Sequence, residues 1–152
     1  EMAREVVRAA ARQGGVELLL PLDMVVAEEV EADAHVVFAD SIPKDAMVLD
    51  IGPRTVQMFR QVLLECKTIL WNGPVGVFEY EPFVVGTRAM AQTLAEATAL
   101  GAVTITGGGS TVQALDSLGL VDRITHVSTG GAATLEFLEG KTLPGVAALQ
   151  DR

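Results

Sequence analysis

The stretch Ala102-Val103-Thr104-Ile105-Thr106-Gly107-Gly108-Gly109-Ser110-Thr111 runs from a β-branched segment into a glycine turn, and Val112, Leu115 and Leu118 follow at helical spacing. Strand, glycine turn, helix is the unit, and it recurs. Ile124 to Ser128 leads into Thr129-Gly130-Gly131 and then a helix carrying Leu135 and Leu138. Upstream, Lys67 to Trp71 reads as a strand, and Asn72-Gly73-Pro74-Val75-Gly76 cannot be regular structure. From Phe83, the positions Thr87, Met90, Leu94 and Ala97 trace a helix that ends near Gly101. Parallel strands need crossover helices. The pattern therefore predicts an α/β fold: a doubly wound, mainly parallel sheet with helices on both faces, a Rossmann-like three-layer arrangement.

The first half is less regular. Glu1 to Gln13 predicts an amphipathic helix with Met2, Val6, Ala9 and Ala10 on its apolar face and Arg4, Arg8 and Arg12 as a basic stripe, stopped by Gly14-Gly15. Val16 to Leu20 reads as a buried strand bounded by Pro21, and Met24 to Ala27 as part of the sheet or of its next element. Val36 to Phe38 and Met47 to Leu49 read as short strands, the second closing on Asp50-Ile51-Gly52-Pro53. Pro53 suits the first turn of a helix that carries Val56, Phe59, Leu63 and Cys66.

Composition narrows the function. With 49% hydrophobic and 20% charged residues over 152, a packed core is expected. Eleven basic and 20 acidic residues give a net charge of −9, which repels nucleic-acid backbones and anionic membranes. Aromatic residues are only 5%, too few for a base-stacking platform. No apolar run approaches the roughly 18 residues of a membrane span, and the lone Cys66 suits a reducing compartment, the cytoplasm. Glu1 opens directly onto a helix-like stretch, so the chain reads as cut from something longer.

In such a sheet, ligands sit beyond the carboxyl ends of the strands. Glycines let backbone N–H groups approach a phosphate, and a helix N-terminus adds a favourable dipole. Taken singly, either glycine turn reads first as an ordinary strand-to-helix turn with Ser110 or Thr111 as a cap. Taken together, they make an anion cradle. Asn72 offers hydrogen bonds, Pro74 and Val77 offer apolar surface for a planar ring, and Glu79 is either a ribose acceptor or a solvated surface acid. Neither G-x-x-x-x-G-K-[ST] nor G-x-G-x-x-G occurs. His35 and His126 lack metal-ligand company; His126 is expected as a hydrogen-bonded core histidine on a strand. Ser110 and Ser128 have no G-x-S-x-G elbow to support a hydrolase.

The strings themselves then match a family. Trp71-Asn72-Gly73-Pro74-Val75-Gly76-Val77-Phe78-Glu79 closely resembles the W-N-G-P-[MV]-G-V-F-E signature of phosphoglycerate kinases. Leu20-Pro21-Leu22-Asp23, Asp50-Ile51-Gly52-Pro53, Gly107-Gly108-Gly109, His126 to Gly131 and Leu143-Pro144-Gly145-Val146 resemble further family motifs in the family's order. The resemblance implies that residues 1–152 are most of a C-terminal nucleotide-binding domain, an incomplete one, with the N-terminal glycerate-binding domain absent. It implies reversible phosphoryl transfer between 1,3-bisphosphoglycerate and ADP, giving 3-phosphoglycerate and ATP with Mg²⁺ on the nucleotide, in a monomeric parent. The basic residues of the family's cleft would lie largely outside this sequence.

By the same resemblance, Glu79 corresponds to a ribose-binding acid and Asn72 to a residue near the nucleotide phosphates. Pro74, Val77, Leu49 and Val48 fall on the base and sugar pocket. Gly108, Gly109, Ser110 and Thr111 fall on the phosphate turn, and Gly130 and Gly131 on the helix N-terminus beside the transferred phosphoryl. Three departures stand out. Ser110 replaces the family aspartate that helps hold Mg²⁺, and a neutral hydroxyl is a weak partner for that cation. Ala132 stands where the family has a third glycine, and Val48 where many members have glycine. A degenerate, non-catalytic nucleotide-binding or interaction module is the rival expectation.

Overall fold

The computed structural model describes residues 1–33 and 37–149, so His35 and Val36 lie outside the described residues. A helix, α1 (Met2–Arg12), comes first, with none of its residues buried. Three short strands follow: β1 (Met24–Ala27), β2 (Val37–Ala39) and β3 (Met47–Ile51). They form an antiparallel sheet in the order β2-β1-β3, with a bulge between Val25 and Val26 where β1 meets β3. No helix among the described residues separates these strands, and strands joined without a crossover pair antiparallel.

From here the strand–helix rhythm takes over. After α2 (Pro53–Glu65) the chain alternates β4 (Thr68–Asn72), α3 (Val85–Ala99), β5 (Val103–Gly107), α4 (Gly109–Ser117), β6 (His126–Ser128), α5 (Gly131–Leu138) and the short α6 (Pro144–Ala147). Strands β4, β5 and β6 form a parallel sheet in chain order. The α/β architecture expected from the second half is therefore present, with the parallel sheet confined to that half. No described helix is long and apolar enough to cross a membrane.

Alternation along β4 and β5 decides where the core sits. Ile69, Trp71, Thr104 and Thr106 point to one face, where Met90, Leu94 and Ala97 of α3 and Leu115 of α4 complete a buried cluster. The opposite face carries Thr68, Leu70 and Val103, all exposed. The edge of β4 away from β5 has no partner strand among the described residues. Beside it lies an apolar cavity of about 200 Å³, bounded by Leu19, Phe59, Leu70, Trp71 and Val75 among others. Trp71 Nε1 and Thr106 Oγ1 are buried without a hydrogen-bond partner among the described residues.

The structure departs from two expectations. Val16 to Leu20 is not a buried strand: it has no regular structure, and only Leu19 is partly covered. An apolar run becomes a strand only when another edge pairs with it, and no described strand lies against this one. His126 is on a strand as expected, yet its side chain is exposed and not a core group. It stands on the last strand of the described sheet, where no further strand covers it.

Helices α2 and α3 lack caps of their own and borrow them across the fold. Gly52 and Val84, at their N-caps, make no side-chain capping bond. Asp23, 3% exposed, accepts the N–H groups of Arg54 (3.1 Å) and Thr55 (2.8 Å) and the Thr55 hydroxyl (2.7 Å), capping α2 from the turn before β1. Gly52 is required by that approach, since a Cβ there would sit 2.3 Å from the Asp23 carboxyl carbon. Asp50, 1% exposed on β3, accepts the N–H of Gly86 (2.6 Å) and caps α3. Arg60 and Glu96 then tie the two helices together by a bidentate ion pair at 2.7 and 3.0 Å.

Candidate nucleotide site at the ends of the parallel strands

Register brings the three candidate turns into one row. Asn72 pairs with Gly107, and Gly107 pairs with Ser128, so β4, β5 and β6 all release their turns at the same level. Beyond that row the turns are cross-linked. Asn72 Nδ2 donates to the Gly131 carbonyl (3.3 Å), the Gly73 N–H donates to Thr111 Oγ1 (2.8 Å), and the Gly108 N–H donates to the Ser128 carbonyl (3.2 Å). The backbones themselves touch. A Cβ on Gly131 would lie 2.8 Å from the Cα of Gly108 and 3.1 Å from its nitrogen. Gly108 also has φ +95°, a left-handed conformation that favours glycine.

This geometry sorts the predicted residues. Gly109 and Ser110 are exposed in the first turn of α4, and a Cβ on Gly109 would meet open space. The first-turn N–H groups of a helix lack intrahelical partners and are free to face an anion. Gly130 is exposed at the N-cap of α5, with Gly131 as its first helical residue. Thr111, by contrast, is buried, and its hydroxyl accepts the Gly73 N–H instead of capping α4. Ser128 Oγ is engaged by the Gly130 N–H and lies 3.2 Å from Thr134 Oγ1, an arrangement that stiffens the turn.

Pro74, Val77, Leu49, Val48 and Glu79 form a second group beside the first. The Val77 N–H donates to the Leu49 carbonyl (2.9 Å), which joins the turn after β4 to β3. Leu49 is itself buried in a small core with Val25, Ala27 and Phe83, against which Val77 and Tyr80 pack. Its side chain thus supports the turn from behind. Val48 is 44% exposed, and Glu79 projects from the same loop, exposed. Pro74 links the two groups, between Gly73, held by Thr111, and Val75, whose N–H donates to Thr87 Oγ1 (3.2 Å).

Sequence reasoning passed over Asp50 and Thr87 as chemical groups. Thr87 was visible only as one position of a helical stripe, yet it is fully buried and accepts the N–H groups of both Val75 and Gly76. The usable signal was a polar residue on an apolar helical face opposite a glycine-rich turn. A metal site is a different matter. Among the described residues no three Asp, Glu, His or Cys side chains are grouped to hold an ion, and Ser110 offers one neutral, exposed hydroxyl. The protein groups present do not fit a protein-held Mg²⁺.

The model of the phosphoglycerate kinase family matches residues 1–141. The chain belongs to the phosphoglycerate kinase family. Phosphoglycerate kinase of Chloroflexus aurantiacus is 55% identical over 145 residues, covering 94% of this chain and 36% of the relative. That of a Synechococcus species (strain JA-3-3Ab) is 52% identical over 153 residues, covering 99% and 37%. The solved phosphoglycerate kinase of Coxiella burnetii superposes with a TM-score of 0.87 at 42% identity, over 96% of this chain and 37% of that one. The enzyme from Pyrococcus horikoshii gives 0.75 at 30% identity. The chain spans little more than a third of the length of the phosphoglycerate kinases it matches.

Proposed function

We propose that this chain supplies the nucleotide side of a phosphoglycerate kinase acting in glycolysis in the cytoplasm. The whole protein would transfer a phosphoryl group reversibly between 1,3-bisphosphoglycerate and ADP, with 3-phosphoglycerate bound by a domain outside this sequence. One observation carries the reading. Two glycine turns, each opening a helix, are locked backbone to backbone at the carboxyl ends of adjacent parallel strands. Oriented main-chain N–H groups at two helix N-termini are suited to the oxygens of a nucleotide and of a phosphoryl group in flight.

In this reading the first turn of α4, Gly109 and Ser110 above all, receives the nucleotide phosphates, and Gly130 and Gly131 face the transferred phosphoryl. Glu79 accepts a ribose hydroxyl, while Pro74, Val77 and the β3 edge at Val48 wall the base. Catalysis then rests on in-line positioning and electrostatic stabilisation, with no covalent intermediate. Mg²⁺ arrives with the nucleotide as part of the substrate. A net charge of −9 supports assigning most of the cationic stabilisation to residues outside the chain.

Calorimetric titration of Mg-ADP and a coupled ATP-forming assay on the full-length protein test the reading. Saturable Mg-ADP binding with acyl-phosphate-dependent ATP formation is expected; absence of both overturns it. Residues 1–152 alone should give no turnover, and substantial turnover by them would overturn the division of labour. Ser110 and Ala132 favour a second reading, a degenerate nucleotide-binding module, which predicts Mg-ADP binding without ATP formation.

A further inference from the structure

Of the two buried aspartates, Asp23 works within the β1–α2 corner, whereas Asp50 faces the nucleotide loop. We propose that Asp50 is a positioning residue for the nucleotide: its carboxylate clamps the loop between Gly73 and Val84, which carries Pro74, Val77 and Glu79. The inference rests on the nucleotide reading above. Its physical basis is the fit of that carboxylate between two glycines. A Cβ on Gly76 would come within 2.4 Å of Asp50 Oδ1 and of the Phe83 carbonyl, and a Cβ on Gly86 within 2.2 Å of the same Oδ1. Both glycines leave room that the carboxylate fills, one near the start of the loop and one just beyond its end.

Hydrogen bonds complete the clamp. Oδ2 accepts the Gly86 N–H (2.6 Å) and Oδ1 the Ile51 N–H (2.8 Å). One residue earlier on β3, the Leu49 carbonyl accepts the Val77 N–H, and one residue later on α3, Thr87 Oγ1 accepts the N–H groups of Val75 and Gly76. Residues 75–77 and 83–86 are thereby gripped by β3 and the first turn of α3. Residues 78–82 bridge the two gripped segments, with Tyr80 packed on the small core and Glu79 exposed. No basic side chain among the described residues pairs with Asp50. A buried carboxylate without a cation is costly, and a residue serving packing alone is better apolar. The hydrogen-bond geometry is what an apolar residue cannot reproduce.

The test uses the full-length protein with Asp50→Ala, Asp50→Asn and Thr87→Val, measuring initial rates against Mg-ADP and against the acyl phosphate. Asparagine turns an N–H donor toward one of the two main-chain donors, so it breaks one contact and keeps the other. Asp50→Ala should raise KM for Mg-ADP about tenfold or more, because two hydrogen bonds to a charged group are lost. Asp50→Asn and Thr87→Val should raise it by less, and KM for the acyl phosphate should stay within about twofold throughout. A purely structural role lowers the active fraction, so kcat falls with both KM values unchanged; that outcome overturns the proposal. If Asp50→Ala does not fold, unchanged nucleotide KM in the two milder variants overturns it equally. Wild-type protein that shows no saturation by Mg-ADP overturns the nucleotide reading instead.

Discussion

Replacing Gly131 with alanine sets a methyl group 2.8 Å from the Cα of Gly108, where ordinary contact begins at 3.4 Å. The two turns must part by the difference, about 0.6 Å, since the atoms in the way are backbone and have no rotamer to escape into. Overpacking of this kind costs about 1–3 kcal/mol. Exchanging glycine for alanine in a helix returns up to about 1 kcal/mol. A net loss centred on about 1.5 kcal/mol, within a span of about 0–3 kcal/mol, is expected. Gly130→Ala is the internal control: its Cβ would meet Ser128 Oγ at 3.6 Å and Ala133 Cβ at 3.8 Å, ordinary contacts both. Denaturant unfolding of the two variants beside wild type measures the difference directly. Mg-ADP titration should show Gly131→Ala weakened more than Gly130→Ala, because the shift moves one helix N-terminus relative to the other. Equal midpoints and equal affinities for the two variants would refute the argument that backbone contact, and not glycine freedom, fixes residue 131.

Asp23→Ala should lower unfolding stability by about 2 kcal/mol, because Arg54 and Thr55 lose the acceptor that caps α2; a midpoint shift equivalent to under about 0.5 kcal/mol would count against the borrowed cap. The two buried aspartates should also respond to acid in opposite senses. At Asp23 burial works to raise the pKa, but hydrogen bonds from Thr55 and Arg54 bring it below the ordinary 3.8. Its contribution is full above pH 3.8 and lost as pH falls through the depressed value. At Asp50 burial outweighs the Gly86 and Ile51 N–H bonds and holds the pKa above 3.8. Its penalty is therefore relieved as pH falls toward 3.8, so wild type should gain on Asp50→Asn in that window and lose on Asp23→Asn below it. Parallel unfolding curves for all three proteins across the acid range would contradict both signs. Ser110→Asp, in the exposed first turn of α4, should tighten Mg-ADP binding and steepen its Mg²⁺ dependence, by calorimetry with and without the ion. An unchanged Mg²⁺ dependence would argue against a metal-side role for residue 110.

The second half of the fold was legible because each of its elements carries its own local signature. Val103 to Gly107 has β-branched residues running into glycines, and α3 repeats Thr87, Met90, Leu94 and Ala97 on one buried face. The first half was not, because its outcome depends on partners and not on pattern. Val16 to Leu20 has the composition of a buried strand and lies exposed except at Leu19, and nothing local distinguishes the antiparallel pairing of Met24–Ala27 from a parallel one. At the site, the glycine turns could be read as a cradle, but not the contact of Gly131 with Gly108, which joins residues 23 positions apart in sequence. Thr111 looked like a phosphate ligand or a cap; its burial against Gly73 is a tertiary fact. Asp50 is legible as part of a motif, but its chemistry is set by Gly76 and Gly86 closing around it, which no local pattern announces.

The unpaired edge of β4 carries a practical consequence for handling residues 1–152 alone. Leu70 and Trp71 sit on a five-residue strand free of proline and charge, with one row of main-chain donors and acceptors unengaged among the described residues. Such a row is a template for a second molecule's strand, and natural sheets blunt it with charge or proline. Preparations of the isolated segment should therefore self-associate through that strand, and a lysine in place of the exposed Leu70 is the first change to make for a soluble, monodisperse sample.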